Sequence, residues 1–218
     1  KVIFPYVARV QYDLEKVRRM LENSVYVSAA LDKLMFFPLT IFIREIVLNL
    51  FGESWLPMVP LIHWLLAGNI VFGAMTGPLY PVANGIGRAD IVSRFNLIAF
   101  FLSWLLIIPL TLLMGIKGVG VAGFVLWGMV YWLKNKIANE IGIFFYYRQV
   151  VKPLIAFVLS WALTEFLIKT MTAGEIDSFL VMIFWSLFAC LFYCITLVAL
   201  DWRRVGKLWR HLVATHET

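Results

Sequence analysis

Charge is scarce in this sequence. Asp, Glu, Lys and Arg make up 15% of its 218 residues, whereas a soluble domain carries about a quarter. It also lacks long polar linkers, low-complexity tracts and any stretch that reads as a soluble domain. Histidine occurs three times and cysteine twice, as Cys190 and Cys194, four residues apart inside an apolar run with no histidine beside them. That is too little for a zinc site or a disulfide framework, so the cysteines read as packing residues. No Ser-His-Asp set, paired carboxylates or metal-ligand spacing appears, so neither catalysis nor a cofactor is expected.

Hydrophobic residues supply 62% of the chain, with a mean hydropathy of +0.86. Apolar runs of membrane-crossing length recur from end to end, more than one soluble core could absorb. The runs predict six membrane-spanning helices at roughly 25–51, 55–83, 95–116, 119–133, 153–168 and 178–200. The fourth and fifth are short and reach ~30 Å only by borrowing flanking residues, with long cations snorkelling. The nine Trp and eight Tyr, many at the ends of the runs, suit the aromatic belts of a bilayer interface. The fold class is therefore all-α, a polytopic membrane helical bundle. Residues 1–24 form the end of a preceding helix plus an amphipathic segment, 25–200 the six-helix membrane domain and 201–218 a basic tail. Because the chain starts at Lys1 rather than Met, an N-terminal part of a longer protein is expected to precede it.

The 19 Lys and Arg against 13 Asp and Glu could suggest nucleic acid, but the bases lie in short clusters between apolar runs. Successive connections alternate between rich and poor, fifteen bases against two, with Lys33 and Arg44 left inside the first span. By the positive-inside rule the rich connections and both ends of the segment are cytoplasmic. Two basic stretches read as amphipathic interfacial helices. Residues 134–147 set Ile137, Ile141, Phe144 and Phe145 opposite Lys134 or Glu140. The tail groups Trp202, Val205, Trp209 and Leu212, leaving Arg203, Arg204 and Lys207 for anionic headgroups.

Gly118, Gly120 and Gly123 literally form the G-x-G-x-x-G of dinucleotide sites. That motif needs a preceding strand and a βαβ unit, and here it sits between two membrane spans, where small residues allow close helix packing. Lys33 and Arg44 are eleven residues apart, so on an ideal helix they lie within ~20° of one face and about 16 Å apart along it. Phe37 and Thr40 share that stripe, and Pro38 can kink the helix or free a carbonyl. Either the two cations line a polar cavity for an anion, or they snorkel to opposite interfaces. In the second span Asn69, Gly73, Thr76 and Tyr80 form a milder stripe, interrupted at its end by Pro78 and Pro81, as in the broken helices of transporters. His63 lies off that stripe. Glu165, the acid of the fifth span, is followed by Lys169 at i+4. It reads as a paired acid or as a coupling-ion site.

Several segments resemble one family. PYVAR at 5–9 with the charged helix after it, FGE at 51–53, NGIGR at 84–88 and IKGVGVAG at 116–123 are similar in order and spacing to the C-terminal lobe of polysaccharide flippases. These belong to the multidrug/oligosaccharidyl-lipid/polysaccharide superfamily. The similarity spans about 1–149, and the last two spans match only as hydrophobic helices. The resemblance implies a bacterial inner-membrane transporter that moves polyprenyl-diphosphate-linked oligosaccharide, such as a lipopolysaccharide O-antigen unit, by alternating access. Moving a bare diphosphate through hydrocarbon would be prohibitive, and a cationic, water-filled cavity between lobes replaces its hydration. In that scheme Lys33 and Arg44 supply charge, while Asn69, Thr76 and Tyr80 face sugar or water. The expected partners are the lipid-linked oligosaccharide, membrane lipids and other polysaccharide-assembly proteins, and no nucleic acid. The rival readings are a multidrug or cation antiporter of the same superfamily, a membrane glycosyltransferase or polymerase, and a membrane protein of polysaccharide assembly that does not itself transport. An antiporter wants acids in its cavity, and a transferase or polymerase wants a sizeable extracytoplasmic loop.

Overall fold

The computed structural model describes residues 7–9, 12–75, 77–140, 148–171 and 179–214, and among these there is helix and no strand. Beyond the short helical stretch at 7–9, the described helices follow in order: α1 Leu14–Phe51, α2 Val59–Phe72, α3 Leu79–Gly85, α4 Ala89–Met114, α5 Ile116–Glu140, α6 Arg148–Met171 and α7 Phe179–Ala214. Short 3₁₀ turns, Glu53–Met58 and Gly73–Met75, flank α2. Among the described residues six segments are long and apolar enough to cross a membrane: Leu14–Phe51, Glu53–Phe72, Ala89–Met114, Ile116–Lys136, Gln149–Met171 and Leu180–Trp202. The protein is a multi-pass membrane helical bundle.

The first helix is longer than its apolar run because the charged segment before residue 25 continues into it without a break. Asp13 caps its start by accepting from the Lys16 amide at 3.1 Å, and the bond and nearby ammonium of Lys16 hold the Asp13 carboxyl below its ordinary value. Arg18 and Arg19 both reach Glu15 at 2.9 Å. Pro38 removes the amide that would bond the Leu34 carbonyl four residues back, and the Cys190 thiol of α7 donates to that carbonyl at 3.8 Å. Just beyond, Phe42 departs from helical geometry (φ −109°, ψ 16°) and α1 kinks.

Two groups of helices make the bundle. One is α1 with α6 and α7; the other is α5 packed on α2 and α4; they meet where α1 lies against α2 and its flanking turns. In the first group Phe37 is fully buried against Phe157 of α6, ring centroids 5.1 Å apart, and against Tyr193 of α7 at 6.1 Å. In the second, the small residues of the G-x-G-x-x-G run bring α5 onto α2, as expected. A Cβ at Gly120 would sit 3.0 Å from the Trp64 Cβ, and one at Gly123 would sit 2.5 Å from Leu65. Only Ile91 and Phe95 of α4 are buried, so this helix forms the outer wall.

Bases of α6 and α7 meet the start of α1. Lys152 of α6 binds Asp201 at 2.7 Å, and Asp201 is the residue where α7 leaves helical geometry (φ −140°, ψ 39°) before its basic tail. Arg204 does not point to headgroups as its place on the amphipathic tail suggested. Its guanidinium lies 4.2 Å from the ring centre of Tyr26 and donates to Asn23 at 3.0 Å and to Gln149, tying α7 to α1 and α6. Replacing Asp201 by Asn should lower stability by about 1 kcal/mol in a denaturant titration of the detergent-solubilised protein. The cost stays small because the Lys152 side chain is 44% exposed and can be rehydrated.

Candidate functional site

The break after α2 builds the most distinctive polar feature in the membrane interior. The last i→i+4 bond of α2 joins the Gly73 amide to the Asn69 carbonyl, where the chain tightens into the 3₁₀ turn Gly73–Met75. The next carbonyl, that of Ile70, is thus left at a helix C-terminus with its negative partial charge. Lys33 of α1 reaches across the seam between the two helix groups and donates to it at 2.7 Å. Lys33 is fully buried. Its ammonium does not snorkel to an interface; it closes the broken end of α2.

Beside this bond lies an open cavity of about 250 Å³ lined by Ser28, Asp32 and Phe36 of α1, Asn69 of α2 and Trp127 of α5, among others. The side-chain oxygen of Asn69 is buried without a donor among the described residues and lies against Gly73, where a Cβ would come within 2.7 Å of it. Asn69, Asp32 and Ser28 thus offer acceptors and a donor at the mouth of the seam.

The other sequence-predicted residues are placed elsewhere. Arg44 is not beside Lys33. Its side chain is 64% exposed and pairs loosely with Glu45 at 3.9 Å, because the kink at Phe42 breaks the face that ideal geometry gave the two cations. Thr40 turns back to donate to the Phe37 carbonyl at 2.7 Å. Thr76 lies outside the described residues. Tyr80 leaves the stripe of Asn69, since periodicity does not carry through the break between α2 and α3. It donates to Asn96 at 3.3 Å and packs edge-on to Phe95 at 5.8 Å. Glu165 is bound by Lys169 at 3.2 Å, and His63 is exposed.

Lys134 is the second surprise. The amphipathic pattern puts it on a polar face, yet it is 5% exposed. Its ammonium stands 5.0 Å from the ring centre of Tyr80 and 5.8 Å from that of Phe95, with no hydrogen-bond acceptor among the described residues. Two aromatic faces take the place of a counter-ion. The apolar partners expected for this segment, Ile141, Phe144 and Phe145, lie outside the described residues, as does the side chain of Ile137.

Residues 1–60 match the family model Polysacc_synt_3, described as Polysaccharide biosynthesis protein. The matched stretch contains all of α1, with Lys33, Pro38 and the kink, and the match suggests involvement in polysaccharide biosynthesis. Neither the curated proteins nor the solved structures give a significant match.

Proposed function

We propose that this chain is the C-terminal lobe of a transporter that moves polyprenyl-diphosphate-linked oligosaccharide across a bacterial inner membrane by alternating access. The observation that carries the reading is the buried ammonium of Lys33, a residue of the stretch that matches the polysaccharide biosynthesis model, on the Ile70 carbonyl at the broken end of α2, which lies beyond that stretch. Ionisable groups within membrane helices mark substrate or ion pathways, and half-helix ends at membrane depth mark transporter sites. Lys33 bonds across the seam between two helix groups, so rocking one group against the other breaks or remakes this contact. Once released, the ammonium reaches the adjoining cavity with Asp32 and Asn69, where it offers charge to a diphosphate while Asn69 accepts from a sugar hydroxyl. Both ends of the segment are cytoplasmic, because the basic clusters follow the positive-inside rule. The chain performs no catalysis, and its partners are the lipid-linked substrate, membrane lipids and other assembly proteins. A cation antiporter is less well supported: the acid it would use, Glu165, is already held by Lys169.

The test is reconstitution of the full-length protein in vesicles carrying a lipid-linked oligosaccharide on one leaflet, with its appearance on the other read by lectin capture. Protein-dependent transfer that requires the diphosphate and spares a neutral polyprenyl glycoside is the expected result. Transfer no faster than in empty vesicles would reject the proposal.

A further inference from the structure

A second polar feature lies away from the Lys33 seam, on the outer wall between α4 and α5. At the basic end of the bundle these helices frame a cavity of about 220 Å³ that carries three cations, Arg88, Arg94 and Lys136, and one acid, Asp90. Asp90 is engaged by Arg88 at 3.5 Å. Among the described residues neither Arg94 nor Lys136 has a carboxylate within ion-pair distance. The cavity opens beside the first turn of α4, whose amides add positive partial charge, and Lys134 stands on the ring of Phe95, which lines it. The site has a net positive charge and low-dielectric walls.

Ile98 and Leu133 line this cavity and also the next one, a hollow of about 70 Å³ that is almost wholly apolar. The second is bounded by Leu102 of α4 and by Leu126, Met129 and Trp132 of α5. Helix α4 starts at the basic end and α5 finishes there, so rising numbers on α4 and falling numbers on α5 both lead toward the membrane interior. The apolar hollow is thus the deeper one. Cations at the interface with a greasy slot beneath them have the polarity order of a phospholipid, head outward and chain inward. The surrounding α4 surface is open to lipid, with Leu97, Phe101 and Leu105 each more than half exposed.

We propose that this α4–α5 groove binds an anionic glycerophospholipid, its phosphate held by Arg94, Lys136 and Arg88 and one acyl chain laid along Ile98, Leu102 and Met129. The upper cavity is smaller than the ~300 Å³ at which pockets begin to enclose drug-sized ligands. It admits a headgroup phosphate and not an oligosaccharide. The apolar slot below it selects a lipid over a free anion. Such a lipid would brace α4, the exposed outer-wall helix, against α5.

The experiment is native mass spectrometry of the full-length protein released from nanodiscs of phosphatidylglycerol mixed with phosphatidylcholine. The wild type should retain phosphatidylglycerol preferentially. The pair Arg94→Gln and Lys136→Gln should lower that retention roughly 30-fold, from the attraction of two bases for an anionic headgroup. Lys16→Gln with Arg19→Gln removes the same charge from the same end away from the groove and should leave retention unchanged. Arg94→Lys with Lys136→Arg should keep it, which separates loss of binding from loss of folding. Equal retention by the Gln pair, or equal loss in the Lys16 and Arg19 control, would overturn the proposal. So would displacement of the lipid by millimolar inorganic phosphate, which marks a simple anion site, or by equimolar polyprenyl diphosphate, which marks a substrate site.

Discussion

Replacing Gly118 by Ala should abolish recovery of folded protein, or lower its stability by about 3 kcal/mol, the upper end of overpacking costs. Helix α4 ends at Met114 and α5 begins at Ile116, so the chain reverses over Gly115, which has φ +61°. The reversal presses Gly118 onto the end of α4. A Cβ there would stand 2.0 Å from the Leu110 carbonyl oxygen and 2.9 Å from the Thr111 amide. Both are backbone atoms of a helix and cannot rotate aside, so α4 and α5 would have to separate. Gly120→Ala should cost less, on the order of 1 kcal/mol, because its nearest obstacle at 3.0 Å is the Trp64 side chain. Gly128→Ala should be neutral or stabilising by up to about 1 kcal/mol, since nothing lies within 4 Å of its Cβ position. Denaturant titration of the three variants in one detergent measures the order. If Gly118→Ala matched Gly128→Ala, the tight α4–α5 reversal would be wrong.

That glycine run also shows what the sequence could and could not convey. Apolar length and small-residue packing are local properties, so the spans and the use of these glycines for close packing were readable, but not which helices they would meet. Other readings, besides that of Arg204, met a limit where the third dimension intervened. The second span was read to residue 83 with its interruption at Pro78 and Pro81, but α2 stops earlier, at Phe72, and its polar stripe divides between the seam and the Tyr80 cluster. Lys33 and Arg44 share a face only on an ideal helix, and Pro38 with the distorted Phe42 removes that premise. Lys134 looked solvated because periodicity within α5 carries no knowledge of Tyr80 on α3 or Phe95 on α4. The Asp201–Lys152 pair was missed although it left a signal, a lone acid where the last apolar run meets a basic tail.

If the chain carries the proposed transport, replacing Lys33 by Met should cost little stability and most of that transport. The substitution keeps the unbranched shape of a side chain that is fully buried, so no large cavity forms. It leaves the Ile70 carbonyl without its donor, but interhelical hydrogen bonds in membrane proteins average about 0.6 kcal/mol. Against that loss stands the relief of a buried ammonium, whose desolvation costs several kcal/mol. The balance predicts an unfolding free energy within about 1 kcal/mol of the wild type, or above it. A residue kept only for packing would then be as good as Met, whereas a charge used in a moving seam would not. Transfer of the lipid-linked substrate should therefore fall at least tenfold, roughly the effect of 1.4 kcal/mol on a barrier, in vesicles where the variant is folded and inserted normally. Lys33→Arg should not rescue it, because the planar guanidinium cannot take the place of a compact ammonium at a single carbonyl in a filled seam. Full-rate transfer by the Met variant would make Lys33 a helix cap and nothing more, and the moving-seam mechanism would have to be abandoned.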